Sequence, residues 1–294
     1  MINTQLWTAL VTPMQSDGQI DFDDLESLVR RQEKAGNGVL LIGSTGEGLA
    51  LDDEEKKAVV EHVTELKLSV PVMAGVGGYN LETQKQWIRF CNGLELDAFL
   101  LVTPLYSKPG PVGQTEWFTA LLNGSEKPCM IYNIPGRTGA KIPPSVFREI
   151  ESHSNFWSIK EASGSIQDFQ AFREAVPNIP IYSGDDGLLP FFSAAGCRGL
   201  VSVASNVWPE ATNLYVQKCL NGQTESLFPL WKHATEMLFT VSNPIPAKML
   251  LVEKGLIKSP ALRMPLTTSE LDSTRKLVDI DKEIADWYSQ NKTK

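Results

Sequence analysis

The fold class predicted for this chain of 294 residues is α/β, a TIM-type (β/α)8 barrel with a C-terminal helical extension. Three observations predict it. Short apolar runs recur eight times, at 6–12, 39–43, 71–76, 98–103, 129–133, 156–160, 179–183 and 200–203. Each is short and often β-branched or aromatic, as a strand buried on both faces must be. Segments of helical periodicity lie between them, and no linker or low-complexity stretch interrupts the alternation. The barrel is expected over 1–222 and the extension over 223–294, where Pro244, Pro246, Pro260 and Pro265 break up further helices. A doubly wound open sheet is the alternative that the same pattern allows.

Each element has its own signature. Leu25, Leu28 and Val29 stand at helical spacing within 23–35, and Val59, Val60, Val63 and Leu66 do so within 52–68. Asp52, Asp53, Glu54 and Glu55 fill the first turn of the second helix, where the macrodipole favours negative charge. The loops behind the strands read TP, GSTGEG, GVGGYN, TPLYSKPG, NIPGRTG, EASGS, SGDDG and ASN. In a barrel these loops converge on one face, so hydroxyls, glycines and a few charges are expected around one small polar ligand.

Composition excludes several function classes. Hydrophobic residues make up 42% and charged residues 21%, an ordinary globular balance, and no apolar run reaches the roughly 20 residues of a membrane helix. The net charge of −8, with Lys56-Lys57 the longest basic run, argues against nucleic acid and anionic membrane partners. Cys91, Cys129, Cys197 and Cys219 form no CxxC pair, and His62, His153 and His233 are equally scattered. Reduced buried thiols are expected, with no metal site. Met1-Ile2-Asn3-Thr4 lacks the basic start and apolar stretch of a signal peptide, so a cytoplasmic location is expected. The glycine loops match neither a Walker motif nor a dinucleotide fingerprint, and no nucleotide cofactor is expected.

Lys160 stands out chemically. In Phe156-Trp157-Ser158-Ile159-Lys160, alternation puts Trp157 and Ile159 toward the helices and Ser158 and Lys160 toward the barrel interior. A poorly hydrated lysine there loses its proton readily, and a neutral amine attacks ketones to form imines. A lysine snorkelling to solvent is the plainer alternative. Tyr132 falls near the end of the preceding strand, with Cys129 and Ile131 alternating away from it. A phenol beside an imine nitrogen can donate and accept protons; a hydrogen-bonded core tyrosine is the alternative. Ser44 and Thr45 lie in Gly43–Gly48, ahead of a helix whose backbone amides suit a carboxylate, unless the loop is a bland glycine turn. Arg137 follows the Tyr132 strand and can hold a second carboxylate bidentately, or else serve a surface ion pair.

With these motifs assembled, the chain closely resembles the dihydrodipicolinate synthase family, in the N-acetylneuraminate lyase superfamily of class I, pyruvate-dependent aldolases. The resemblance runs from Trp7–Pro13 to Asn243–Lys248 through GSTGE, VTPLY, YNIPGRTG, IKEASG, SGDD and GLVSV, in order and at the family spacing. It implies Lys160 as the Schiff-base lysine and Tyr132 as proton donor and acceptor. It also implies a hydroxyl relay of Tyr132 with Ser44 and with Tyr106 from a neighbouring subunit. Thr45 would bind the pyruvate carboxylate with a backbone contact at Val201, and Arg137 would guide the carboxylate of L-aspartate 4-semialdehyde. The implied product is 4-hydroxy-tetrahydrodipicolinate, feeding diaminopimelate and lysine synthesis, with no cofactor beyond the covalent Schiff base. The implied assembly is a homotetramer built as a dimer of dimers.

Two positions depart from the family pattern. Ser44 stands where threonine is common, and Leu105 where many synthases carry a second tyrosine. Lysine-inhibited members bind lysine at a subunit contact. There Asn80 is retained, but Asp53, Lys56, Gln84 and Leu105 replace the other ligands, so insensitivity to lysine is expected. N-acetylneuraminate and sugar-acid aldolases share Lys160 and Tyr132 but not usually the arginine of YNIPGRTG. A non-catalytic pyruvate or sugar-acid sensor would not need a nucleophile and an acid together.

Overall fold

The structure, a computed structural model, describes residues 2–292. Eight strands close into one barrel in sequence order, every neighbouring pair parallel. They are β1 (Leu6–Ala9), β2 (Gly38–Leu41), β3 (Val72–Val76), β4 (Ala98–Val102), β5 (Cys129–Asn133), β6 (Phe156–Glu161), β7 (Ile181–Ser183) and β8 (Gly199–Ser202). The helices are α1 (Phe22–Ala35), α2 (Asp53–Glu65), α3 (Leu81–Asn92), α4 (Pro111–Gly124), α5 (Pro135–Thr138) and α6 (Pro144–Ile150). They continue as α7 (Ile166–Ala175), α8 (Leu189–Ala194), α9 (Pro209–Leu220), α10 (Leu227–Leu238), α11 (Ile245–Glu253) and α12 (Arg275–Asn291). The barrel expectation holds, and the open-sheet alternative fails on the β1–β8 pairing. No helix among the described residues is long and apolar enough to cross a membrane.

Strand alternation divides the core in two. Leu41, Phe99, Ile131 and Ile159 face the helices, whereas Leu40, Leu100, Met130 and Tyr132 fill the barrel. Both sets are almost wholly buried, as the two faces of a covered parallel sheet require. Trp157 corrects the simple alternation. It packs inward, its ring 6.1 Å from Trp7 and 5.8 Å from Tyr182. The cause is an irregular register: Cys129 pairs with Phe156 and the next residue, Met130, with Ser158, leaving Trp157 as the extra residue of a bulge. Beyond the bulge alternation resumes, and Lys160 pairs with Tyr132 with both side chains inside.

Several strands stop earlier than the apolar runs suggest. β1 ends at Ala9, after which the Val11 amide donates to Asn206 Oδ1 at 3.0 Å and the Thr12 hydroxyl donates to the Gly46 carbonyl at 2.7 Å. Side chains have taken over from the ladder where the chain turns across the barrel mouth. The second helix likewise ends at Glu65 rather than 68. All four cysteines are buried free thiols.

The segment after the barrel is bound to it by an aromatic seam. Trp231 of α10 stacks on Tyr215 of α9 with ring centroids 4.1 Å apart, and Trp287 of α12 meets Trp231 edge-on at 5.3 Å. The Trp208 indole donates to Asp281 at 2.7 Å. This seam brings α10 and the start of α11 over the mouth of the barrel.

Candidate active site

A cavity of about 330 Å³ opens at the C-terminal ends of the strands, where barrel active sites form. Lys160, Tyr132, Thr45 and Val201 line it, and so does Arg137 at its rim. Lys160 is 5% exposed, and its Nζ lies 4.1 Å from the centre of the Tyr132 ring. Burial lowers the Lys160 pKa to about 8, against the opposing pull of Asp186 and Asp185; Arg137 assists the lowering. Burial pushes the Tyr132 phenol well above its ordinary range, so it holds its proton at neutral pH. Room for the Lys160 stem comes from Gly184: a Cβ there would stand 2.8 Å from Lys160 Cε and 2.6 Å from Ala162 Cβ.

The two strands that carry the pair are locked at their ends. Asn133 Nδ2 donates to Glu161 Oε2 at 2.7 Å, Glu161 Oε1 accepts from the Ser163 amide at 2.7 Å, and Asn133 Oδ1 accepts from the Ile142 amide at 3.0 Å. These bonds fix the residues following Tyr132 and Lys160, and hence the direction of both side chains. Asp186 performs the equivalent task next to β8. Its carboxylate accepts from the Ser202 hydroxyl and from the Val203 and Ala204 amides at 3.0 and 3.3 Å.

The 43–48 loop corrects one expectation. Its amides do not belong to the N-terminus of α2. The loop closes on itself, with the Glu47 amide bonded to Ser44 O at 3.1 Å and Gly48 to Gly43 O at 3.1 Å. The helix begins only at Asp53, behind a capping box in which Asp52 accepts from the Glu55 amide and Glu55 from the Asp52 amide. That helix start is already satisfied and carries three acidic side chains, so it repels an anion. The loop instead presents Thr45 to the cavity from its own turn. Gly48 is required there, because a Cβ would meet the Ile42 carbonyl at 2.3 Å.

Ser44 borders this cavity and a second one of about 980 Å³, as do Tyr132 and Arg137. The structure therefore gathers six of the expected residues around one mouth, but no hydrogen bond links Ser44 to Tyr132 within the chain. Tyr106 lies apart, 91% exposed on the larger cavity with a left-handed φ of 65°. Arg137 is exposed and takes part in no ion pair among the described residues.

Sequence reasoning gave no individual role to four groups here. Asp185, its pKa raised by burial and by Asp186 to about 6, and Asn243 each place an oxygen, Oδ2 and Oδ1, buried and without a hydrogen bond. Both line the smaller cavity. Asn243 Nδ2 also donates to the Thr45 hydroxyl at 2.9 Å, and Lys248 pairs with Glu47. Two adjacent aspartates at a strand end and the Asn-Pro-Ile-Pro-Ala-Lys run were the available signals.

A closed parallel barrel with a buried, easily deprotonated lysine beside a protonated phenol at its mouth has the equipment of an imine-forming lysine enzyme. The chain belongs to the dihydrodipicolinate synthetase family, whose sequence profile matches residues 3–284. One relative, the 4-hydroxy-tetrahydrodipicolinate synthase of Francisella philomiragia subsp. philomiragia, is 49% identical over 291 residues, 98% of each chain. The solved 4-hydroxy-tetrahydrodipicolinate synthase of the thermoacidophilic methanotroph Methylacidiphilum fumariolicum SolV is 30% identical with a TM-score of 0.91, covering 99% of this chain and 98% of that one. A structure of DHDPS from Cyanidioschyzon merolae with lysine bound gives 0.89 at 30% identity, over 96% and 98% of the two chains.

Proposed function

We propose that this chain acts as a 4-hydroxy-tetrahydrodipicolinate synthase, condensing pyruvate with L-aspartate 4-semialdehyde. The observation that carries the reading is the buried Lys160, with a pKa of about 8, in register with the buried Tyr132. The neutral Lys160 amine attacks C2 of pyruvate, and the carbinolamine loses water to give a protonated imine. Loss of a C3 proton yields the enamine, whose C3 adds to the aldehyde carbon while the new alkoxide takes up a proton. The amino group of the second substrate then attacks C2 and displaces Lys160, closing the ring. One water leaves overall, and the protonated imine is the electron sink, so the chemistry needs no metal or organic cofactor.

Tyr132 supplies the protons of these steps, with Ser44 and a partner subunit's tyrosine at position 106 completing its hydroxyl relay. Thr45 and the backbone at Val201 hold the pyruvate carboxylate. Arg137 receives the carboxylate of the semialdehyde, and the unpaired oxygens of Asp185 and Asn243 suit its ammonium group. A short amino-acid aldehyde presents both charges, which favours it over a sugar acid. Tyr106 is 91% exposed and does not line the smaller cavity, which supports its serving a neighbouring copy in a homo-oligomer, the tetramer of two dimers that the family resemblance implies.

The test is borohydride reduction in the presence of pyruvate, followed by peptide mass analysis and a semialdehyde turnover assay. One pyruvate-derived mass on the peptide carrying Lys160, absent from Lys160→Ala, is expected. Labelling elsewhere, or efficient cleavage of N-acetylneuraminate without semialdehyde turnover, would overturn the reading.

A further inference from the structure

The carboxylate-facing loop is gripped from the far end of the chain. Asn243, just before α11, donates to the Thr45 hydroxyl at 2.9 Å. One turn into the helix, Lys248 Nζ donates to Glu47 Oε1 at 2.5 Å and to the Ala261 carbonyl at 2.8 Å. The Lys248 and Glu47 side chains are 0% and 1% exposed, a fully desolvated ion pair. Glu47 Oε2 accepts in addition from the Arg263 amide at 2.8 Å, and the Arg263 guanidinium continues to the Gly18 carbonyl and to Glu55. Two ion pairs, Lys248–Glu47 and Arg263–Glu55, hold the network together.

The loop so held is not in a relaxed conformation. Glu47 sits at φ 55° and the β-branched Ile42, at the loop's start, at φ 58°, both in the left-handed region that such side chains avoid. Strained backbone persists only where its surroundings over-determine it. Here the surroundings are two side chains of the α11 segment, fastened to residues two apart on one loop. Neither Lys248 nor Glu47 lines the cavity, whereas Thr45, in the same loop, does.

We propose that Lys248 and Glu47 are positioning residues that set pyruvate affinity by holding Thr45 and its loop in the carboxylate-binding conformation. This rests on the reading that Thr45 receives the pyruvate carboxylate. The chain beyond the barrel is then part of the binding apparatus rather than an appendage.

Lys248→Met alone leaves the Glu47 carboxylate buried without its ammonium, which strains folding as well as position. The deciding variant is Glu47→Gln/Lys248→Met, which removes both charges and keeps an acceptor for the Arg263 amide. In both variants the half-saturating pyruvate concentration, read by turnover and by borohydride trapping, is expected to rise about tenfold or more. The maximal rate at saturating pyruvate and the KM for the semialdehyde should stay within about threefold. Trapping of methyl pyruvate, which has no carboxylate, should be the same in the variants and the unsubstituted protein. A double variant with unchanged melting temperature and unchanged pyruvate half-saturation would overturn the proposal, as would equal loss with both ketones. No trapping in the unsubstituted protein would instead sink the Schiff-base reading itself.

Discussion

At Lys160 the decisive quantity is desolvation. An ordinary lysine, with a pKa near 10.4, is neutral in only about one molecule in 2,500 at pH 7, whereas a group at about 8 is neutral in roughly one in ten. Lowering the pKa of a cationic acid moves its neutral form to lower pH, so initial trapping rates should climb between pH 6 and 8 and level off above about 8.5. A rise continuing to pH 10 would mean that the amine is solvated. Gly184→Ala tests the room around the same side chain. The added methyl would push on Lys160 Cε and on Ala162 Cβ, so the trapping rate should fall about 10- to 100-fold and the melting temperature should fall with it, because Ala162 Cβ cannot swing away. Arg137→Ala should raise the KM for the semialdehyde by about 10- to 100-fold and leave pyruvate trapping intact, since one charge-assisted carboxylate contact is worth roughly 1.5–3 kcal/mol. Equal loss of both functions would make Arg137 structural.

The strands and loops show how such residues are aimed. In β6 the bulge at Trp157 fills the barrel floor against Trp7 and Tyr182 and then restores the alternation that sends Lys160 inward. The 43–48 loop depends on a close backbone approach, with the Ile42 carbonyl pressed against Gly48 and, from the other side, against Gly75. Gly48→Ala should therefore destabilise the protein by about 1–3 kcal/mol, since the neighbour is backbone and cannot swing away. Thermal unfolding checks this, and the pyruvate half-saturation should rise together with the loss. An unaltered melting temperature would show that the loop re-forms around the methyl group.

Across the whole molecule, assembly and regulation meet at the surface around the larger cavity, which Tyr106, Leu105, Lys56 and Gln84 line. If Tyr106 completes the relay of a second copy, dilution to monomer should cost most of the activity, and sedimentation of a fully active monomer would refute the oligomeric reading. The same surface bears on regulation. Lys56 stands there with its ammonium 3.1 Å from Asp53, so the carboxylate that lines this cavity among the described residues is already paired. Asn80 is likewise engaged, capping α3 by accepting from the Thr83 amide at 3.0 Å. Lysine at tens of millimolar should leave turnover unchanged, although a related structure holds that amino acid. Half-inhibition below about a millimolar would show that the pocket binds it by other contacts.

Local pattern determined a great deal about this protein. Short apolar runs separated by amphipathic helices are enough for a parallel α/β fold, the β1–β8 pairing decides for the barrel over the open sheet, and parity placed Lys160 and Tyr132 on its inner face. Their neighbours Ile131 and Ile159 pack outward as the same parity requires. What pattern could not carry was anything set by residues distant in the chain. The extra residue at Trp157 follows from how β6 registers against β5, which no reading of β6 alone contains. Asn243 and Lys248 meet Thr45 and Glu47 across 198 and 201 residues. No periodicity links segments so far apart; only the docking of α10–α12 over the barrel mouth brings them together. The value of about 8 at Lys160 has the same origin, since desolvation and the fields of Asp185, Asp186 and Arg137 exist only once the whole chain has closed around the amine.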